Sequence, residues 1–197
     1  MARGRRRMSL IPAFEIGLWN AWIFTFYHFA PPALLTLIYK GTFKRMSSAV
    51  PLNKTEKKIH ILMETISALA LIYSIFLPLR LGTMWFYLSL PICLLGLIMH
   101  TIASVNFATT PLKQPVTKGL YRYSRHPMYL IFFLTFIGVS IASASWLFLL
   151  FSILVMVLTP PLVIPEEQDC FEKYGDAYHE YMNRTPRWIG IPKSGER

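Results

Sequence analysis

Acidic residues are scarce in this chain, and cysteines scarcer still. Ten Asp and Glu stand against twenty Lys and Arg, a formal net charge of +10 over 197 residues. The two cysteines, Cys93 in an apolar run and Cys170 in a polar one, give neither a disulfide framework nor a zinc spacing, and no metal is expected. No nucleic-acid recognition module accompanies the positive charge, so a nucleic-acid partner is not expected either. The cations gather instead at the ends of apolar runs, where topology and anionic headgroups place them. Internal repeats and low-complexity tracts are absent. A cleavable leader is not expected, because the first apolar run is long and lacks a small-residue cleavage site.

What the sequence has in abundance is apolar length. Apolar residues make up 54% of the chain and the mean hydropathy is +0.42. Several runs approach the ~20 apolar residues that cross a bilayer. The expectation is a single all-α domain over 1–197, a polytopic integral membrane protein with about five transmembrane helices. Residues 1–15 read as a flexible basic tail.

Candidate spans are 16–39, interrupted by Pro31-Pro32, then 59–79, 83–105, 128–142 and 146–158. The last two are short and are separated by Ser143-Ala144-Ser145, which predicts a tight hairpin. The prolines of Thr159–Pro165 should break the last span. Beyond them, Phe171, Tyr174, Tyr178 and Tyr181 recur at helical spacing, as in a C-terminal amphipathic helix at the membrane surface. With five spans, one side holds fifteen Lys and Arg and the other five. Positive-inside topology then puts the 109–127 loop and the C-terminal helix in the cytoplasm.

Two places carry chemistry. The first is QPVTKGLYRYSRHPMY, residues 114–129, a basic loop without an acid between two apolar runs. Pro127 suits a first helical position, and the free N–H groups there would face an anion. Gly119 permits a turn, and Tyr121 and Tyr123 offer rings to a base. A basic interfacial loop with aromatic anchors has the same composition. The second is Glu166-Glu167, directly after the proline-rich break. Acids there either stabilise a helix start or sit in a site with the cations across from them. Glu64 reads as an acid near the start of its span, able to snorkel or to line a pathway. His28 and His100 read as core histidines.

The order of GLYRYSRHPMYL, an apolar hairpin, and EEQDCFEKYGDAYHEY before Pro186 resembles the isoprenylcysteine carboxyl methyltransferase and phospholipid methyltransferase superfamily. The chain looks like a compact prokaryotic relative, with an archaeal origin among the readings. The resemblance covers about residues 113–187, which it marks as the cofactor-binding and catalytic region. It implies S-adenosylmethionine as cofactor, held by Gln114, Val116, Tyr121, His126, Pro127, Met128 and Tyr129. It implies catalytic roles for Glu166 and, beside it, Glu167. The acceptor implied is lipophilic, a prenylcysteine-type carboxylate, with the site facing the cytoplasm from a prokaryotic plasma membrane. A phospholipid amine is the alternative acceptor. Rival readings are an NADPH-dependent sterol-type reductase and a non-enzymatic transporter or subunit. Eukaryotic carboxyl methyltransferases of this type carry an arginine one helical turn before the first acid. Leu162 stands there here, so an acceptor carboxylate needs another cation, among Arg122, Arg125, Arg184 and Arg187.

Overall fold

Helices account for most of the described architecture, and three of them carry side-chain caps written into the sequence. The computed structural model describes residues 15–46 and 50–192. Nearly all of the expected basic tail therefore lies outside the described residues. Among the described residues nine α-helices and one 3-10 turn follow in order: α1 Trp22–Tyr27, α2 Ala30–Ile38, α3 Lys40–Met46, α4 Lys54–Ile75 and α5 Met84–Ala108 come first. The 3-10 turn Gly119–Arg122 is next, then α6 Pro127–Ala142, α7 Trp146–Leu158, α8 Pro160–Tyr174 and α9 Asp176–Arg184. Among the described residues there is no strand, and a lone bridge pairs Asn20 with Pro78.

Where expected and observed helices differ, the cause is local. α4 starts five residues before the apolar run because Asn53 and Glu56 form a capping box, each satisfying the other's orphan N–H. Thr83 caps α5 and Ser145 caps α7 by the simpler one-way bond, each hydroxyl accepting a backbone N–H, from Phe86 and Phe148. Pro31 and Pro32 do not kink a long helix. They begin α2, so the first apolar run is two short helices. The Ser143-Ala144-Ser145 hairpin is as tight as expected, with Ala144 at φ 51°.

The proline-rich stretch does not end the helical structure after α7. Pro160 and Pro161 start α8, which continues through Pro165 at a bend of 41° from α7. The expected single amphipathic helix is in fact two, because Gly175 at φ +54° separates α8 from α9. Nor do its aromatics share one face: Tyr178 and Tyr181 are buried while Phe171 is exposed.

α4 and α5 are each long and apolar enough to cross a bilayer, and α7 with α8 qualifies as a bent third. Residues 22–38 and α6 are shorter apolar segments. Large apolar side chains face outward along these helices, among them Leu62, Leu69, Leu88, Leu95, Ile98 and Val157. Small residues face inward. A Cβ on Gly96 would meet Thr135 Oγ1 at 2.2 Å, and one on Gly138 would meet Cys93 Sγ at 2.7 Å. Close backbone approach with lipid-compatible outer faces is how helices associate in a membrane. The tight α5–α6 pair fixes the ends of both helices, and the loop joining them carries the basic stretch.

Of the lone polar residues in the helices, Glu64 is exposed and sits mid-helix in α4, not near its start. His28 and His100 are buried with their rings tilted by 32° at 4.5 Å between centroids, and His100 Nε2 lies 2.9 Å from the His28 carbonyl. The other nitrogen of His100 and Nε2 of His28 have no partner, so these core histidines are only partly satisfied.

Candidate functional site

The loop after α5 is held in shape before it presents anything to a ligand. Gly119 adopts φ +59°, and a Cβ there would fall 2.0 Å from Asn106 Nδ2, so only glycine fits. Arg45 of α3 reaches the carbonyls of Phe107 (3.3 Å), Pro111 and Gln114 (3.2 Å) and lies over the Phe107 ring. One guanidinium thus fastens the start of the basic loop. Tyr181 of α9 donates to the Tyr121 carbonyl at 2.7 Å, fastening its middle. The Ser124 hydroxyl accepts from the His126 N–H at 3.1 Å, and Pro127 then opens α6.

Residues 185–192 lie along this loop as a strap. Arg125 N–H donates to the Pro186 carbonyl (3.0 Å), Gly190 N–H to Tyr123 (3.1 Å), and the Ser124 hydroxyl to Arg187 (3.3 Å). Trp188 is brought beside the His126 ring, 6.3 Å between centroids.

Glu166 and Glu167 stand just past the apolar run, which ends at Ile164, and they differ sharply. The Glu167 side chain is 5% exposed and serves three partners, Arg125, His126 and Arg187. Arg187 contacts both its oxygens, Arg125 Nη2 lies at 3.4 Å, and His126 Nε2 lies at 3.1 Å. With a carboxylate opposite, that imidazole nitrogen donates. Burial alone would raise the Glu167 carboxyl. Hydrogen bonds from His126 and Arg187 and the Arg125 charge outweigh it and hold the group at about 2. Glu166 accepts from the Tyr129 hydroxyl at 2.5 Å and has His126 Nδ1 at 3.6 Å. Its burial among protein atoms raises its carboxyl above the ordinary range, and those two contacts oppose the rise without cancelling it. Two adjacent acids are thus pushed apart, Glu167 below the ordinary carboxylate range and Glu166 above it.

A cavity of about 410 Å³ opens between the loop, the start of α6, and α8 with α9. That is within the usual range for a small-molecule site. Of the expected cofactor residues, Val116, Tyr121, His126, Pro127, Met128 and Tyr129 line it, together with Glu166. Gln114 instead borders a separate outer groove of about 720 Å³ with Arg122 and Arg184. Glu167 is not on the wall but behind it, as the partner of His126. Sequence reasoning did not pick out Arg45, Asp169, Lys173, Tyr174 or Tyr178, all on the wall. Tyr174 and Tyr178 were visible only as part of an amphipathic pattern, and Arg45 carried no signal beyond its charge. Among the described residues no group of His, Cys, Asp and Glu suits a metal ion.

A sequence profile described as phospholipid methyltransferase matches residues 79–177, half of the chain, and takes in α5, the basic loop and Glu166-Glu167. The chain belongs to the phospholipid methyltransferase family. It is also similar to a protein of Schizosaccharomyces pombe (strain 972) described as protein-S-isoprenylcysteine O-methyltransferase. The identity there is 33% over 78 residues, which is 39% of this chain and 32% of that protein. The match therefore spans about a third of the relative's length. No solved structure matches the chain. Within the family profile lie the whole 114–129 stretch and both acids, whereas the strap with Arg187 and Trp188 lies beyond its end.

Proposed function

We propose that this family member is an S-adenosylmethionine-dependent methyltransferase that acts on a lipophilic acceptor, most simply a prenylcysteine-type carboxylate. One observation carries the reading. A single cavity combines aromatic walls (Tyr121, Tyr174, Tyr178), acids (Glu166, Asp169) and cations (Arg45, Arg125, Lys173) beside helices whose outer faces are apolar. A sulfonium nucleoside with an amino-acid tail needs all three, namely rings for its base, acids for its ammonium and sulfonium, and a cation for its carboxylate. The name of the Schizosaccharomyces pombe relative supports the choice of acceptor.

The cofactor supplies an electrophilic methyl group when bound; the protein's residues do the rest. A carboxylate acceptor with a pKa near ~3.5 is already ionised at neutral pH and needs no base. Rate then depends on alignment and on keeping water away. His126 is fixed by its bond to Glu167, and Tyr129 by its bond to Glu166, so the two side chains that open α6 stand still at the cavity wall. The strap covers the loop from the other side.

One observation favours a second reading. The raised Glu166 carboxyl suits a base that takes a proton from a lipid amine, as in phospholipid N-methylation. In either case the partners are membrane lipid and a lipophilic small molecule. We place the cavity on the cytoplasmic face of a prokaryotic plasma membrane, in keeping with the cation count.

The test is transfer of label from S-adenosylmethionine by the purified full chain. A prenylcysteine acid and phosphatidylethanolamine are offered side by side. Label on the prenylcysteine carboxyl is expected. Label on neither acceptor, with no uptake of S-adenosylhomocysteine by calorimetry, would overturn the proposal.

A further inference from the structure

The basic loop also borders the outer groove of about 720 Å³, where three segments meet. The loop contributes Gln114, Thr117 and Arg122, α9 contributes Glu180 and Arg184, and the strap contributes its two ends, Thr185 and Pro192. Arg122 and Arg184 border this groove and not the inner cavity, so neither is the cation of that cavity.

Charge in the groove is unbalanced. The acid on its wall, Glu180, is taken by Arg184 one turn along α9. Arg122 is exposed, and its guanidinium has no partner among the described residues. The stretch from Gln114 to Tyr129 brings no acid to it. Gln114 and Thr117 are exposed and add an amide and a hydroxyl. Guanidinium forks, an amide and a hydroxyl suit an oxyanion with several acceptor oxygens, and phosphate is the one guanidinium matches in shape and charge. Position agrees with chemistry. The loop joins the end of α5 at Ala108 to the start of α6 at Pro127, so the groove sits at the edge of the apolar slab, where lipid headgroups lie.

We infer that the outer groove is a phosphate-binding site, with Arg122 as its principal cation and Arg184 as its second. No bond is made or broken there, and the site does not depend on the methyltransferase proposal. The phosphate has two sources, the headgroup of an anionic phospholipid and a soluble phosphate ester. Since the strap ends on this groove, and Pro115 and Tyr181 line both it and the inner cavity, an occupant braces the segment that carries Arg187 to Glu167.

Two arms on the detergent-solubilised full chain separate the sources. Native mass spectrometry compares retention of phosphatidylglycerol with that of phosphatidylcholine carrying the same acyl chains. Calorimetry without lipid compares glycerol phosphate with glycerol. The wild type should prefer the anionic member of at least one pair by about tenfold or more, the scale of two cations near a membrane surface. Arg122→Gln should cut that preference by about threefold or more, and Arg122→Gln combined with Arg184→Gln should bring it within about twofold of parity. Lys113→Gln removes an exposed cation of the same loop outside the groove and should leave the preference intact. Preference confined to the lipid pair assigns a headgroup, and preference in the glycerol pair assigns a soluble phosphate. The preferred ligand should also slow proteolysis of residues 185–192 in the wild type and not in Arg122→Gln.

No preference in either pair would overturn the inference. So would an equal loss from Lys113→Gln and Arg122→Gln, which would mean diffuse surface charge, or strap protection that survives Arg122→Gln. If Arg122→Gln shows no cooperative melting, Arg184→Gln decides alone, a preference reduced by about threefold supporting the site and an unchanged one sinking it. Failure to take up S-adenosylhomocysteine would defeat the methyltransferase proposal and leave these readouts standing.

Discussion

Arg187 grips Glu167 from twenty residues away, with Nε 3.2 Å from each carboxylate oxygen and Nη2 2.7 Å from Oε2. The contact joins the strap to α8, and through Glu167 it steadies His126 at the start of α6. Arg187→Ala should therefore loosen residues 185–192 and lower turnover by roughly tenfold, the scale of a lost bidentate charge pair. Turnover alongside limited proteolysis of the strap checks this. A fully active variant with a protected strap would mean that the grip is ornamental.

The same contact has a pH signature. Glu167 is held at about 2, below its unfolded value of about 4.3, so the unfolded chain binds the extra proton between those limits. The stabilisation is complete above about 4.3 and drains away as pH falls toward about 2. Melting temperature in detergent should drop more steeply across this window for the wild type than for Glu167→Gln. Parallel slopes would remove Glu167 as the cause.

Glu166 separates the two acceptor chemistries. Glu166→Gln should cut methylation of an amine by about 100-fold, as for loss of a general base, and alter that of a carboxylate only a few-fold. Initial rates on both acceptors with one preparation give the comparison. Equal loss on both would deny Glu166 a proton-taking role.

Gly119→Ala should weaken cofactor uptake and lower the melting temperature. The left-handed conformation costs a side chain about 1–2 kcal/mol before any clash with Asn106 is added. Gly119→Ala combined with Asn106→Ala keeps only the backbone part, so the pair should melt above the single variant. A double variant no better than the single one would locate the damage elsewhere.

Much of the site was legible because its residues lie close together in the chain. Pro127 fixes where α6 begins, and with it the places of His126, Met128 and Tyr129. Gly119 announces a turn, and the turn is there. Residues whose partners are distant in sequence carried no such mark. Arg45 meets its carbonyls more than sixty residues away, and Arg187 lies in a segment with no periodic pattern. Nothing in Glu166-Glu167 tells which acid turns toward the cavity, since that depends on how α8 rotates through Pro165. The prolines break the last span at Leu158 as expected, but as helix starters they bend the path into α8 where the sequence suggested no helix before Pro165.

The strap has a consequence for the order in which the molecule is made. Synthesis runs from the N-terminus, and earlier segments settle first. When Arg184 has left the ribosome, every helix from α1 to α9 has been released, yet nothing opposes Glu167 from the far side. Arg187 therefore reaches Glu167 only after α8 and α9 have been made, so the cradle is latched by one of the last described segments of the chain to be synthesised.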